Sequence, residues 1–138
     1  VSPRGVQEAG GIAVNHEQEM VRQFHRAFNF TLHDAPTPIT AYQARRRSDL
    51  LDEEAEELRR ALLRKDVVAI ADALADVLYV VYGTAVACGI DVEPIFKEVH
   101  RSNMTKDQPA GDSDKAIKGA GFSPPNLSHL LNQEGSPR

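Results

Sequence analysis

Two pairs of acidic residues carry the strongest chemical signal in the sequence: Glu54 and Glu57 in a charged segment, Asp72 and Asp76 in an apolar one. Hard divalent cations take oxygen ligands, and magnesium is typically held by a few carboxylates together with substrate phosphates. Around a helix with Leu50 at zero, Glu54 falls at about 40°, within the apolar arc of Leu51, Ala55, Leu58, Ala61 and Leu62. Glu57 falls on the edge of that arc, at about 340°. Glu53 stands further out, and Glu56 points away. The simpler alternative is a solvated face, on which Asp52, Glu53 and Glu56 pair with Arg59, Arg60 and their neighbours. It leaves Glu54 unexplained.

Asp72 and Asp76 are the only charged residues between Val67 and Cys88, and at i,i+4 spacing they share one helix face. Burying two like charges is costly unless a cation or hydrogen-bond donors compensate. One of them could instead pair with Arg45, Arg46 or Arg47. Two helices that each offer a pair of acids would line a cleft suited to roughly one to three divalent ions. A di-iron bundle is the rival metal site, but it uses Glu-x-x-His ligand pairs. None of His16, His25, His33, His100 and His129 has a Glu three residues before it.

Helices must position these acids. Asn15 with Gln18 forms a capping-box pattern that opens a helix through Met20, Val21, Phe24, Ala27 and Phe28. Pro36 and Pro38 then break the chain. Thr40 with Gln43 repeats the capping pattern and predicts a second helix through Leu50, Leu51, Leu58 and Leu62 to about Arg64. Asp66 can cap a third, which continues to about Cys88 and stops at Gly89. Asp91, with Pro94 in the first turn, starts a fourth through Ile95, Phe96 and Val99. Beyond Met104 the sequence is rich in Gly, Pro, Ser, Asp and Lys, with a last short turn expected through Leu127, Leu130 and Leu131. No β-alternation and no internal repeat interrupts this pattern.

The expected fold is all-α: an antiparallel bundle of about four helices with an extended C-terminal tail. Residues 1–14 are expected to be a flexible segment, 15–104 the helical domain and 105–138 the tail. The chain has 138 residues, enough for one domain. Apolar residues make up 41% and aromatics only 6%, without Trp, so Leu, Val, Ile and Ala must build the core. That composition suits packed helices better than a β-sandwich. A net charge of −4 argues against nucleic acid as a partner. Cys88, the single cysteine, points to a reducing, cytoplasmic compartment, and residues 1–14 lack the apolar core of a secretory signal. Asp72 and Asp76 speak against a membrane role for the stretch from Val67 to Cys88, which is expected to be the buried central helix. Because it is apolar all round, including Tyr79, Val80, Tyr82 and Val86, a partner is expected to cover it. A homodimer or dimer of dimers joined through helix faces follows.

Three segments resemble the MazG-like, all-α NTP pyrophosphohydrolase superfamily, which includes phosphoribosyl-ATP pyrophosphohydrolases and dimeric dUTPases. They are Leu50-Leu-Asp-Glu-Glu-Ala-Glu-Glu-Leu58, Asp72-Ala-Leu-Ala-Asp-Val-Leu-Tyr-Val-Val-Tyr-Gly83 and Glu98-Val-His-Arg-Ser-Asn-Met-Thr-Lys106. The resemblance covers most of the chain, and its pattern is Glu-x-x-Glu on one helix, Glu-x-x-Asp on the next, then an Asn and a Lys. Glu54 and Glu57 match the first pair, with Glu53 an adjacent acid, and Asp76 matches the final Asp. Where the pattern has its second-pair Glu, this chain has Ala73, and Asp72 is the nearest acid.

The resemblance implies hydrolysis of an α–β phosphoanhydride to a nucleoside monophosphate and pyrophosphate. Magnesium, with manganese as a substitute, would be held by Glu54, Glu57, Asp72 and Asp76. Glu53 or Glu54 would orient or deprotonate the attacking water, and Asn103 and Lys106 would meet the sugar or phosphates. Phe24, Phe28, Asn29, Tyr42 and Gln43 belong to segments that would wall a nucleobase pocket, with Arg47 assisting at the phosphates. A deoxypyrimidine such as dUTP is the expected substrate, in a housecleaning role. The alternative, kept open by Ala73, is a non-catalytic nucleotide-binding helical oligomer, a sensor or regulatory module.

Overall fold

The structure, a computed structural model, describes residues 15–131; the segment expected to be flexible, 1–14, and the end of the tail, 132–138, lie outside them. Five helices follow in order: α1 (His16–Ala27), α2 (Ala41–Arg64), α3 (Val67–Cys88), α4 (Val92–Asn103) and the short α5 (Ser128–Leu131). The described residues contain no strand, only an isolated antiparallel bridge between Asp107 and Ile117. The chain is all-α, as its composition predicts. It divides into two compact units, the first ending at Asp91 and the second beginning at Val92.

In the first unit the helix ends fall where capping chemistry puts them. Asn15 Oδ1 accepts from Gln18 N–H at 2.6 Å, while the Gln18 side chain donates to Ile90 O at 2.7 Å and so ties α1 to the end of α3. The Thr40 box is complete: Gln43 N–H donates to Thr40 Oγ1 at 3.1 Å, and Thr40 N–H to Gln43 Oε1 at 3.2 Å. Only Lys65 and Asp66 separate α2 from α3, so the two helices form an antiparallel hairpin. Lys65 takes a left-handed φ of 58° to close α2, and Asp66 caps α3 by accepting from Ala69 N–H at 3.1 Å. Both α1 and α2 pack on α3.

The buried apolar side chains of this unit are small: Val21, Ala61, Ala73, Ala85, Val86 and Ala87. The expectation of a buried central helix needs correcting. Helix α3 is long and apolar enough to cross a membrane by length and composition, but within the chain it is buried mainly at its C-terminal end. Val67, Val68, Leu74, Leu78 and Val81 are exposed, and on α2 so are Leu62 and Leu63. Two helices packed against α3 cannot surround it.

In the second unit the segment expected to be an extended tail is tied back to α4. Arg101 grips Glu98 in a two-point fork at 3.0 and 2.9 Å and also donates to Ser123 Oγ and Pro124 O. Asn126 N–H donates to the same Glu98 carboxylate at 2.9 Å, and Ser123 N–H to Thr105 Oγ1 at 2.8 Å. The Arg101 fork, with help from Asn126 N–H, holds the Glu98 carboxyl down at about 2. Because the folded value is depressed, this contribution is present above the ordinary Glu range and is lost as pH falls through about 2. Glu98→Gln should therefore release the 123–126 segment at neutral pH, speeding hydrogen exchange of the Asn126 amide by roughly tenfold.

Candidate functional site

The α2–α3 hairpin brings the predicted acids of both helices near Glu54. Glu54 is half-buried on α2, Asp76 half-buried on α3, and Glu53, Glu57 and Asp72 are exposed. Burial raises the Glu54 pKa first, followed by the negative charges of Asp76, Glu57, Glu53 and Asp72. That coupling requires acids from both helices to stand near Glu54. None of the five forms an ion pair among the described residues.

The remaining acid of this stretch behaves in the opposite way. Glu56 accepts the Arg59 fork at 3.1 and 2.9 Å and Arg60 Nε at 3.3 Å. Those guanidinium groups, Arg59 foremost, hold its carboxyl at about 2. The expected pairing with Arg59 and Arg60 thus holds for Glu56, while Glu53, Glu57 and Asp72 are exposed without an ion pair among the described residues. Nor does Arg47 pair with Asp72 or Asp76; its Nε donates to Thr84 Oγ1 at 3.1 Å and its Nη2 to Val80 O at 3.0 Å. Among the described residues, no three His, Cys, Asp or Glu side chains stand close enough to form a ready-made metal cage. What the acids around Glu54 offer a cation is uncompensated charge. Ala73, at the position of the family's second-pair Glu, is 3% exposed, so a longer side chain there would have to displace its neighbours.

One turn along α2 from Glu54, a rise of about 6 Å, Leu50 lines a cavity of ≈ 450 Å³. Its walls come from the end of α1, the loop after it, the start of α2 and the last turns of α3. Asn29, Tyr42 and Gln43 line it as the sequence suggests; Arg47, expected to assist at the phosphates, lines it too, with His25, Phe30, Thr31, Thr40, Arg46 and Ala87. Asn29 also has a backbone task. Its left-handed φ of 61° turns the chain off α1, a conformation Asn tolerates better than most residues, and Phe30 N–H then reaches His25 O at 2.8 Å. Phe28 is not among the lining residues. It is 60% exposed and packs on Phe24, at 4.8 Å between ring centroids, and on Phe30 at 6.0 Å.

The inner wall is a polar network whose His25 and Thr31 sequence reasoning missed. His25, 3% exposed, donates Nδ1–H to Thr31 O at 2.7 Å. Gln43 Nε2 donates to Thr31 Oγ1 at 2.7 Å, which locks the loop against α2. Burial lowers the His25 pKa; the Thr31 carbonyl opposes this and the Arg47 charge adds to it. Arg47 is likewise lowered by burial but keeps its charge. A Cβ on Gly83 would collide with Arg47 Nη2 and come within 3.1 Å of His25 Nε2. A glycine inside an otherwise apolar helix was the available signal, since it costs about 1 kcal/mol against Ala unless something must approach closely.

Asn103 is the last residue of α4, and Lys106 follows in the turn that closes it, its N–H donating to Asn103 O at 3.1 Å. Both belong to the second unit.

A family model described as phosphoribosyl-ATP pyrophosphohydrolase matches residues 21–103, more than half of the chain. The match runs from within α1 to the end of α4; it includes Glu53, Glu54, Glu57, Asp72, Asp76 and Asn103, and stops short of Lys106. No curated protein matches the chain.

Proposed function

The chain belongs to the phosphoribosyl-ATP pyrophosphohydrolase family, within the MazG-like all-α superfamily, and on that basis we propose a metal-dependent nucleoside triphosphate pyrophosphohydrolase. The observation that carries the metal dependence is the raised Glu54 carboxyl, crowded by four acids and given no cationic partner among the described residues. A dedicated cage is not required, because magnesium is usually held by one or two carboxylates plus substrate phosphates. Glu54, Glu57, Asp72 and Asp76 are the residues that would hold it, with manganese as a substitute. When bound, the ion neutralises the triphosphate and makes water a better nucleophile.

The chain's own groups do the rest. Glu53 or Glu54 accepts the proton of the attacking water as the α–β phosphoanhydride is hydrolysed, releasing nucleoside monophosphate and pyrophosphate. Asn103 and Lys106, in the second unit, are the residues that the resemblance assigns to the sugar or phosphates. Asn29 and Arg47, with Phe28 in the adjoining aromatic cluster, serve the base end. Since Leu50, which lines the cavity, lies one helical turn from Glu54 on α2, a nucleotide with its base in the cavity would direct its phosphates toward the acids. The substrate we favour is a deoxypyrimidine nucleotide such as dUTP, in a housecleaning role in the cytoplasm, with neither nucleic acid nor membrane as partner.

The same reading includes a homodimer or dimer of dimers. Its support is the apolar surface at the hairpin end, where Leu63 is 69% and Val68 79% exposed, a patch of the kind that marks an interface. Val68→Glu is expected to shift the sedimentation coefficient to that of a smaller species.

The test of activity is pyrophosphate release from a panel of NTPs and dNTPs, with magnesium or manganese and without metal. Release that requires the ion supports the hydrolase. Metal-dependent binding without release from any nucleotide would instead favour a non-catalytic sensor, the reading that buried Ala73 keeps in view.

A further inference from the structure

We propose that Arg47 is a positioning residue, whose clasp on α3 sets the register at which Glu54 of α2 stands against Asp76 of α3. This role deepens the hydrolase reading and rests on it for what the two acids would hold. Arg47 is half-buried, yet its guanidinium has no carboxylate partner among the described residues. It is committed to α3 instead, with Nε donating to Thr84 Oγ1 at 3.1 Å and Nη2 to Val80 O at 3.0 Å. Thr84 Oγ1 donates in turn to the same Val80 carbonyl at 2.9 Å, which closes the three groups into one unit. At Gly83 the helix makes room for the guanidinium, since a Cβ there would collide with Nη2.

Among the described residues, the two bonds of Arg47 are the side-chain hydrogen bonds that join α2 to α3. Between this clasp and the turn at Lys65 and Asp66, the buried residues of the two helices are Ala61 and Ala73. Apolar burial is non-directional, so two small side chains hold the helices together without fixing how one is turned against the other. A polar group bonded across a helix pair does fix it.

Spacing links the clasp to the acids. Glu54 lies seven residues after Arg47 on α2, and Asp76 eight before Thr84 on α3. Both separations are close to two helical turns, so each acid shares a face with its own half of the clasp, roughly 10–12 Å away. Because the helices run antiparallel, both acids lie on the same side of the clasp, toward the hairpin turn. Asp76 is also the acid whose charge bears most on Glu54. A slip of one residue along α2 would turn Glu54 by about 100° away from it. Arg47 acts in this role through the two helices, not through the nucleotide.

Two measurements test the assignment, both on variants that leave the net charge unchanged. Thr84→Val removes one acceptor of the clasp, and Arg47→Lys keeps the charge but loses the two-point grip. In the first measurement, Glu54→Gln and Asp76→Asn are combined in a double-mutant cycle, read by denaturant melts of the metal-free protein at neutral pH. Wild type should show repulsive coupling between the two acids, and each variant should lose about half of it or more. A residue that only stabilised the fold would weaken every member of the cycle alike and leave the coupling unchanged. In the second, Mn2+ is titrated into the full chain without nucleotide, and the free ion is read by electron paramagnetic resonance. Each variant should bind the ion about tenfold more weakly than wild type.

Coupling absent from wild type, coupling equal in all backgrounds, or equal Mn2+ affinity in chains that bind the ion would overturn the assignment and leave Arg47 a packing residue. If Arg47→Lys does not fold, Thr84→Val, which keeps Arg47, decides by itself. Coupling that the variants lose, in a chain that binds no Mn2+, would retain this inference and remove the metal-dependent hydrolase reading. Metal-dependent hydrolysis with undiminished coupling would do the reverse.

Discussion

Glu54→Gln is expected to raise the melting temperature of the metal-free protein while lowering magnesium-dependent kcat/KM by roughly 100- to 10,000-fold. The two effects have one origin. Glu54 sits half-buried among Asp76, Glu57, Glu53 and Asp72, and its pKa is raised by that burial and those charges. An acid whose pKa is raised on folding favours the folded state below its unfolded value, and that advantage is lost as pH rises through the raised one. At neutral pH the metal-free acid cluster is therefore a source of strain, which the neutral amide relieves. Thermal melts between about pH 4 and 8 should show wild type losing stability on the alkaline side relative to Glu54→Gln. Magnesium should reverse the order, because an ion that binds only the folded state stabilises it by mass action. If Glu54→Gln still turned over nucleotide at the wild-type rate with magnesium, these acids would be no more than surface charge.

What the sequence disclosed was what local chemistry decides. Thr40 with Gln43, Asp66 before Val67, and Gly89 after Cys88 each bracket a helix through bonds spanning only a few residues, so their spacing is visible in a string. Helical phase also puts Glu54 within the apolar arc of α2, and it is half-buried there. Phase is less reliable for Glu57, which is exposed, because α2 meets α3 along a narrow seam with Ala61 and Ala73 among its buried residues. The hydrogen bonds of the cavity's inner wall were not legible. Arg47 finds its partners in Thr84 and Val80, and His25 finds its own in a loop carbonyl. Neither pairing leaves a periodic trace. The exposure of α3 was obscured for another reason: composition reports how apolar a helix is, and only packing reports how much of it the rest of the chain can cover.

The largest loss of stability should come from Gly89→Ala, about 2–4 kcal/mol in a denaturant melt. Gly89 ends α3 with φ at 71°, where a Cβ alone costs about 1 kcal/mol. The remainder comes from what crosses in front of it. An added Cβ would collide with the Ala35 carbonyl and come within 3.0 Å of His33 Cβ. Unlike the end of a long side chain, that carbonyl cannot swing aside. Its segment is fastened to α3 by His33 N–H to Val86 O at 3.1 Å, Thr37 N–H to Cys88 O at 2.9 Å, and His33 Nδ1–H to Ala87 O at 2.7 Å. Gly111 provides the control, because its φ is also 71° but a Cβ there would meet nothing within 4 Å. Gly111→Ala should cost only the conformational part, about 1 kcal/mol, so the difference between the two variants measures the collision. The segment that Gly89→Ala pushes away continues from Thr31, the residue that orients His25. The variant should therefore weaken nucleotide binding even at temperatures where it remains folded, whereas Gly111→Ala should leave binding unchanged.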